Sequence, residues 1–173
     1  MANEQVDALL ARLETTERTG RLSGLEIEYW RGGGPPPPLY RSEQLRLMSA
    51  GPQDLLEFAV QKWDPGFTPP TLHEVWTLPL RPAQVIEVTQ LLLATNVFTA
   101  VYAEEQDPRI ADIISYEILV SVSDTRLKRR YYRRVPDALA PLDGVFVGLI
   151  DRLKAEGRHG LYHQGKEVPL PQR

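Results

Sequence analysis

The stretch IISYEILVSVSDTRLKRRYYRRV, residues 113–135, decides the fold. Its first half alternates: Ile114, Tyr116, Ile118, Val120 and Val122 fall on one parity, Ser115, Glu117, Ser121 and Ser123 on the other. A period of two with one apolar parity is the signature of a strand with one buried face. Asp124-Thr125 reads as a tight turn, and Leu127 to Val135 as the returning strand. Strands joined so tightly must be antiparallel, and an antiparallel sheet can leave one face in water.

Working toward the N-terminus, Pro82 to Asn96 has a broad apolar face (Val85, Ile86, Val88, Leu92, Leu93) and a proline suited to a first helical turn. Before it, Leu72 to Leu78 reads as a strand, and Leu55 to Trp63 fits a strand or a short helix, with its aromatic and β-branched content between Pro/Gly-rich flanks favouring strand. Leu25 to Trp30 alternates cleanly, with Leu25, Ile27 and Tyr29 inward, and Leu39 to Met48 returns from it. Between them Gly32 to Pro38 is expected to end the strand. Asn3 to Arg18 is a narrow amphipathic helix (Val6, Leu9, Leu10, Leu13) that needs a surface to cover, and Gly20 is its expected stop. Toward the C-terminus, Leu142, Val145, Phe146, Leu149, Ile150 and Leu153 mark a last helix, with Gly157 expected at its C′ position and an irregular tail over 158–173. The predicted order is α-β-β-β-β-α-β-β-α. It implies one α+β domain over 1–173: a mostly antiparallel twisted sheet of about four to six strands with two or three helices packed against it, the helix of 1–20 lying at the periphery.

Composition sets outer limits. The chain has 173 residues, 42% hydrophobic and 25% charged, ordinary for a globular domain with its own core. No apolar run reaches the roughly 18 residues that span a bilayer, so no membrane role is expected. Met1 to Gly20 is too charged for a secretory signal. With no cysteine, disulfides, thiol catalysis and thiolate metal sites drop out together, and a cytoplasmic location is expected.

No linear motif asks for an enzyme. No serine sits in a G-x-S-x-G elbow, and neither phosphate-loop nor dinucleotide fingerprint is present. Gly32-Gly33-Gly34 runs into four prolines, so it lacks the helix N-terminus that phosphate binding uses. His159 and His163 are four apart, but among Gly157, Gly160 and Gly165 a helix presenting both to one metal is not expected. The expectation is therefore no catalytic, cofactor-binding or metal residues.

Two surface features remain. Arg126, Lys128, Arg129, Arg130, Arg133 and Arg134 form a basic stripe interleaved with Tyr131 and Tyr132, within a chain of net charge −3. Cations alternating with aromatics suit phosphate contacts and base stacking; the plainer account is a strand whose charges meet acids such as Glu26, Glu28 and Glu117. Basic residues occupy both parities, which suggests a strand partly exposed on both faces, as an edge or a protruding hairpin would be. The second feature is the loop Gly32, Gly33, Gly34, Pro35, Pro36, Pro37, Pro38 to Tyr40. Its prolines favour polyproline II, and Pro37-Pro38-Leu39-Tyr40 fits a P-P-x-Y pattern read by proline-recognition domains.

In layout the chain resembles the emfourin family, small bacterial proteins whose studied member inhibits a thermolysin-like metalloprotease. The resemblance rests on the strand running into glycines (Leu25 to Gly34), the helix Pro82 to Asn96 followed by Phe98, and the strand pair Tyr116 to Val135 leading to Pro136 and Pro141-Leu142. It covers about two-thirds of the chain. It implies a related α+β fold and, as an expectation, protease inhibition. Four prolines after the glycines, two additional strands (Leu55 to Leu78) and an N-terminal helix depart from the family's layout, and no inhibitory residue carries over. The sequence thus points to a non-enzymatic binding domain with a protein partner; nucleic-acid binding through 126–134, protease inhibition and self-association through the first helix are the alternatives.

Overall fold

The structure, a computed structural model, describes residues 2–34, 41–99, 114–132 and 134–170. Eight antiparallel strands form one sheet: β1 (Leu25–Gly33), β2 (Arg41–Ala50), β3 (Gln53–Trp63), β4 (Thr71–Pro79), β5 (Ser115–Val122), β6 (Thr125–Tyr132), β7 (Arg158–His163) and β8 (Lys166–Val168). Their spatial order is β6-β5-β1-β2-β3-β4-β7-β8. The first four strands are a meander, and the later hairpins β5-β6 and β7-β8 flank it on either side. Three helices complete the chain: α1 (Ala2–Thr19), α2 (Pro82–Ala94) and α3 (Ala140–Glu156), the last entered through a 3-10 turn at Asp137–Leu139.

Register explains why the helices share one face. Leu47 lies between Ile27 and Leu56, and Leu45 between Tyr29 and Phe58. Ile118 and Val120 extend these apolar rows on β5, opposite Tyr29 and Ile27. On these rows pack Leu9 and Leu13 of α1, Val85, Val88 and Leu92 of α2, and Leu142, Phe146 and Leu153 of α3, all buried. Phe146 stacks on Tyr29 with ring centroids 4.7 Å apart. The Tyr29 hydroxyl donates to Asp143 in the first turn of α3. The narrow stripe of α1 is met mainly by α2; cutting Leu13 to alanine there costs about 2–5 kcal/mol, the usual loss for a fully buried leucine. Gly20 ends α1 with φ +64° and its N–H on the Thr16 carbonyl, and a Cβ there would lie 3.0 Å from Pro82 Cβ at the head of α2.

The α+β class and the antiparallel sheet follow the sequence reading; other expectations are corrected. The sheet has eight strands, more than four to six. The excess comes from the stretch after Gly157, expected to be irregular: Gln164 and Gly165, both at positive φ, turn a hairpin that pairs with β4. Turns with two residues at positive φ match the twist of a hairpin, so glycine here marks a turn rather than disorder. Gly32 and Gly33 continue β1 as its last two residues rather than breaking it. Gly32 is paired with Ser42 on one side and Ser115 on the other, and Gly33 with Arg41. The β5-β6 turn falls on Ser123-Asp124, with Thr125 already in β6. Gly157 closes α3 with extended backbone (φ −76°, ψ 154°) rather than a left-handed C′ residue. Its requirement is space: a Cβ there would lie 2.5 Å from the Leu153 carbonyl oxygen.

Candidate binding face

The strand parities that point away from the helices form an open surface with its own order. One row across it reads Arg130, Glu117, Trp30, Gln44, Ala59, Val75; the next reads Lys128, Leu119, Glu28, Arg46, Glu57, Thr77. Opposite charges directly across a ladder are the stabilising arrangement for a wet sheet face. Arg46 is the central example, with Nη1 3.2 Å from Glu57 directly across and Nη2 2.6 Å from Glu26 on the diagonal. Burial works against its charge, but the bonds to Glu26 and Glu57 outweigh it and hold the guanidinium above its ordinary value. Gln44 donates to Glu28.

At the β6 end the balance tips. Arg130 places Nε at 2.9 Å and Nη2 at 2.6 Å from one oxygen of Glu117, and Lys128 Nζ lies 3.4 Å from the same oxygen. The hydrogen bond to Glu117 raises the Arg130 guanidinium above its usual range. Arg126, on the same face, makes no ion pair among the described residues. Among the described residues, two cations therefore share one carboxylate while a third has none. Beside them a groove of about 350 Å³ is lined by Glu28, Trp30, Gln44, Glu117, Leu119, Arg126 and Arg130. Leu119 is only 8% exposed although it faces outward. Its cross-strand neighbours are Glu28 and Lys128, long side chains whose stems can lie over an apolar floor.

The eight residues of the basic stripe do not act as one surface. Arg126, Lys128, Arg130 and Tyr132 share the open face. Arg129 and Tyr131 point to the helix side, where Tyr131 is fully buried. Tyr131 is thus corrected from a base-stacking candidate to a core residue: its parity follows Leu127, not Arg130. Arg134 is exposed beyond the strand end, and Arg133 lies outside the described residues. Of the loop candidates, Gly32 and Gly33 belong to β1 and Gly34 follows it, while Pro35, Pro36, Pro37, Pro38 and Tyr40 lie outside the described residues. Gly32 pairs with Ser115, and Ser115 with Tyr132, so the glycine run and the end of the basic strand share one end of the sheet. They are two strand spacings apart, ~10 Å.

Residues that linear reading passed over are Trp30 and Leu119, contributed to the groove by the neighbouring strands. A second cluster on the helix side was also missed. Glu74 accepts from Lys62 and lies 2.8 Å from His159 Nε2, while the His159 ring stacks on Trp76. His163 instead reaches the Pro69 carbonyl oxygen at 2.9 Å. Both histidines are on the same parity of β7, but they have separate partners, and among the described residues no group of three His, Asp or Glu is placed to hold a metal. No helix among the described residues is long and apolar enough to cross a membrane. No protein-family model matches the chain, and no curated protein matches it.

Proposed function

We propose that this chain is a non-enzymatic binding domain that receives an anionic partner on the open face of its sheet, at the β6-β5-β1 end. The supporting observation is the charge arrangement there: among the described residues Lys128 and Arg130 share Glu117 and Arg126 has no ion pair, beside a groove holding Trp30 and Leu119. A surface that only satisfied itself would match each cation with an acid, as Arg46 is matched by Glu26 and Glu57. Among the elements described, the helices pack on the opposite face, so a partner meets no obstacle from them.

Trp30 is the reporter. In a Trp63→Phe/Trp76→Phe background it is the one remaining tryptophan of three, and its emission is followed while polyglutamate or a short oligonucleotide is added at low and high salt. A saturable change that weakens with salt and is lost in Arg126→Ala/Arg130→Ala supports the reading. If nucleic acid is the partner and the three cations engage phosphates, the logarithmic salt slope is about −2 to −3. No response to either polymer at low salt overturns it.

A further inference from the structure

We infer that the partner is an extended acidic segment of polypeptide that adds to the sheet as a ninth strand along β6; this rests on the reading of the open face just given. β6 is the end strand of the sheet order, and all eight of its residues are paired with β5 on one side. Among the described residues no strand pairs with its other side, and only at its end does the Tyr132 carbonyl accept from the Arg134 N–H. An end strand with free N–H and C=O groups is a template for another strand. The opposite end of the sheet offers less, because β8 has three residues.

The charges on β6 fit an added strand in spacing and sign. Arg126, Lys128 and Arg130 occupy successive positions on the open face, ~7 Å apart along the strand. A neighbouring antiparallel strand places its own alternate residues directly beside them, with Cβ atoms ~5 Å away. Acidic residues at every second position would meet Arg126, which has no ion pair among the described residues, and the two cations that share Glu117. A second copy of this chain fails the same test. Antiparallel pairing of β6 with itself about Lys128 sets Lys128 against Lys128 and Arg126 against Arg130, and like charges directly opposite are destabilising. A nucleic acid could use the cations, but it cannot use the strand's amides, and it would bring phosphates against Glu28 and Glu117 in the groove.

The test uses the full chain, isotope-labelled for amide resonances, with a soluble eight-residue peptide alternating glutamate and threonine as the probe. A lysine-threonine peptide, a scrambled glutamate peptide and a short oligonucleotide are the controls. Slowed exchange at the alternate β6 amides that point away from β5 is expected with the alternating glutamate peptide. Affinity for the lysine peptide is expected to be weaker by roughly tenfold or more, three cross-strand pairs being reversed. The variant Arg126→Glu/Lys128→Glu/Arg130→Glu, altered only at surface positions, should exchange the two preferences. A Trp30 response with no protection of β6 amides overturns strand addition and leaves the open-face reading standing. Tighter binding of the oligonucleotide than of the glutamate peptide overturns the acidic-polypeptide assignment. No response at Trp30 or at β6 overturns both.

Discussion

His159 lies flat against Trp76, with ring centroids 4.6 Å apart and planes within 4° of parallel. The two residues are directly opposite in the β4-β7 register, and Trp76 in turn leans on Phe58 at 5.7 Å. The three rings bridge β3, β4 and β7, and His159 adds a bond to Glu74. This row fastens the last hairpin to the meander. His159→Ala is therefore expected to cost about 1–2 kcal/mol, the usual scale for an aromatic cross-strand pair and a charge-assisted bond together. His159→Phe, which keeps the stack, is expected to recover about half. Chemical denaturation followed by tryptophan emission measures both.

Glu117 holds Arg130 and Lys128 together on the open face, and the pairs are exposed on their basic side. Exposed pairs contribute little to stability, at most about 1 kcal/mol. Glu117→Gln should leave the melting temperature within a few degrees of wild type yet strengthen binding of anionic polymers, because it frees two cations at once. Thermal melts beside polyglutamate titrations give the comparison. Weaker anion binding in this variant would contradict the proposed site.

Gly157 has backbone angles that alanine accepts, so conformational freedom is not why glycine is there. A Cβ would stand 2.5 Å from the Leu153 carbonyl oxygen and 3.1 Å from that of Thr77, both backbone atoms that cannot swing aside. Gly157→Ala is expected to cost about 1–3 kcal/mol as α3 and β4 are forced apart. At Gly160 the nearest atoms belong to the Tyr162 ring, which can move. Gly160→Ala should cost less than Gly157→Ala in the same melting series.

The Tyr29 phenol is raised well above its ordinary value near 10, first by burial and then by its bond to Asp143. A proton held more tightly in the folded than in the unfolded chain stabilises fully below the unfolded value and loses that effect as pH climbs above it. Tyr29→Phe keeps the stack on Phe146 and loses the bond to Asp143. It is expected to cost about 1–2 kcal/mol at neutral pH, and the penalty should shrink above about pH 10. Denaturant midpoints of the two proteins at pH 7, 9 and 11 show the trend.

The legible parts of this fold were those where a period of two persists with one apolar parity. Leu25-Ile27-Tyr29, Ile118-Val120 and Leu56-Phe58 announce their inner faces without help from the rest of the chain. Parity also separated the basic residues into two sets, and β6 does lie at the edge of the sheet, but it is not exposed on both faces: on the helix side Tyr131 is buried and Leu127 and Arg129 are half-buried. The groove was not legible, because its parts are neighbours only through register: Trp30 reaches Arg130 by way of Glu117, 87 residues along the chain from Trp30. The last hairpin was missed for a different reason. Leu161 is its one buried large apolar side chain, and the glycines around it serve a turn and a close approach that look like disorder until the neighbouring strand is in place.

The flanking of a four-strand meander by two later hairpins has a consequence for synthesis. A growing chain that has emerged as far as Pro79 holds β1 to β4 and can make the three pairings among them, but both margins of that sheet are bare. The strand that covers β1 is made from Ser115 onward, and the one that covers β4 only from Arg158. Until those residues leave the ribosome, the half-made protein carries two adhesive borders, and shielding by chaperones matters most in that interval.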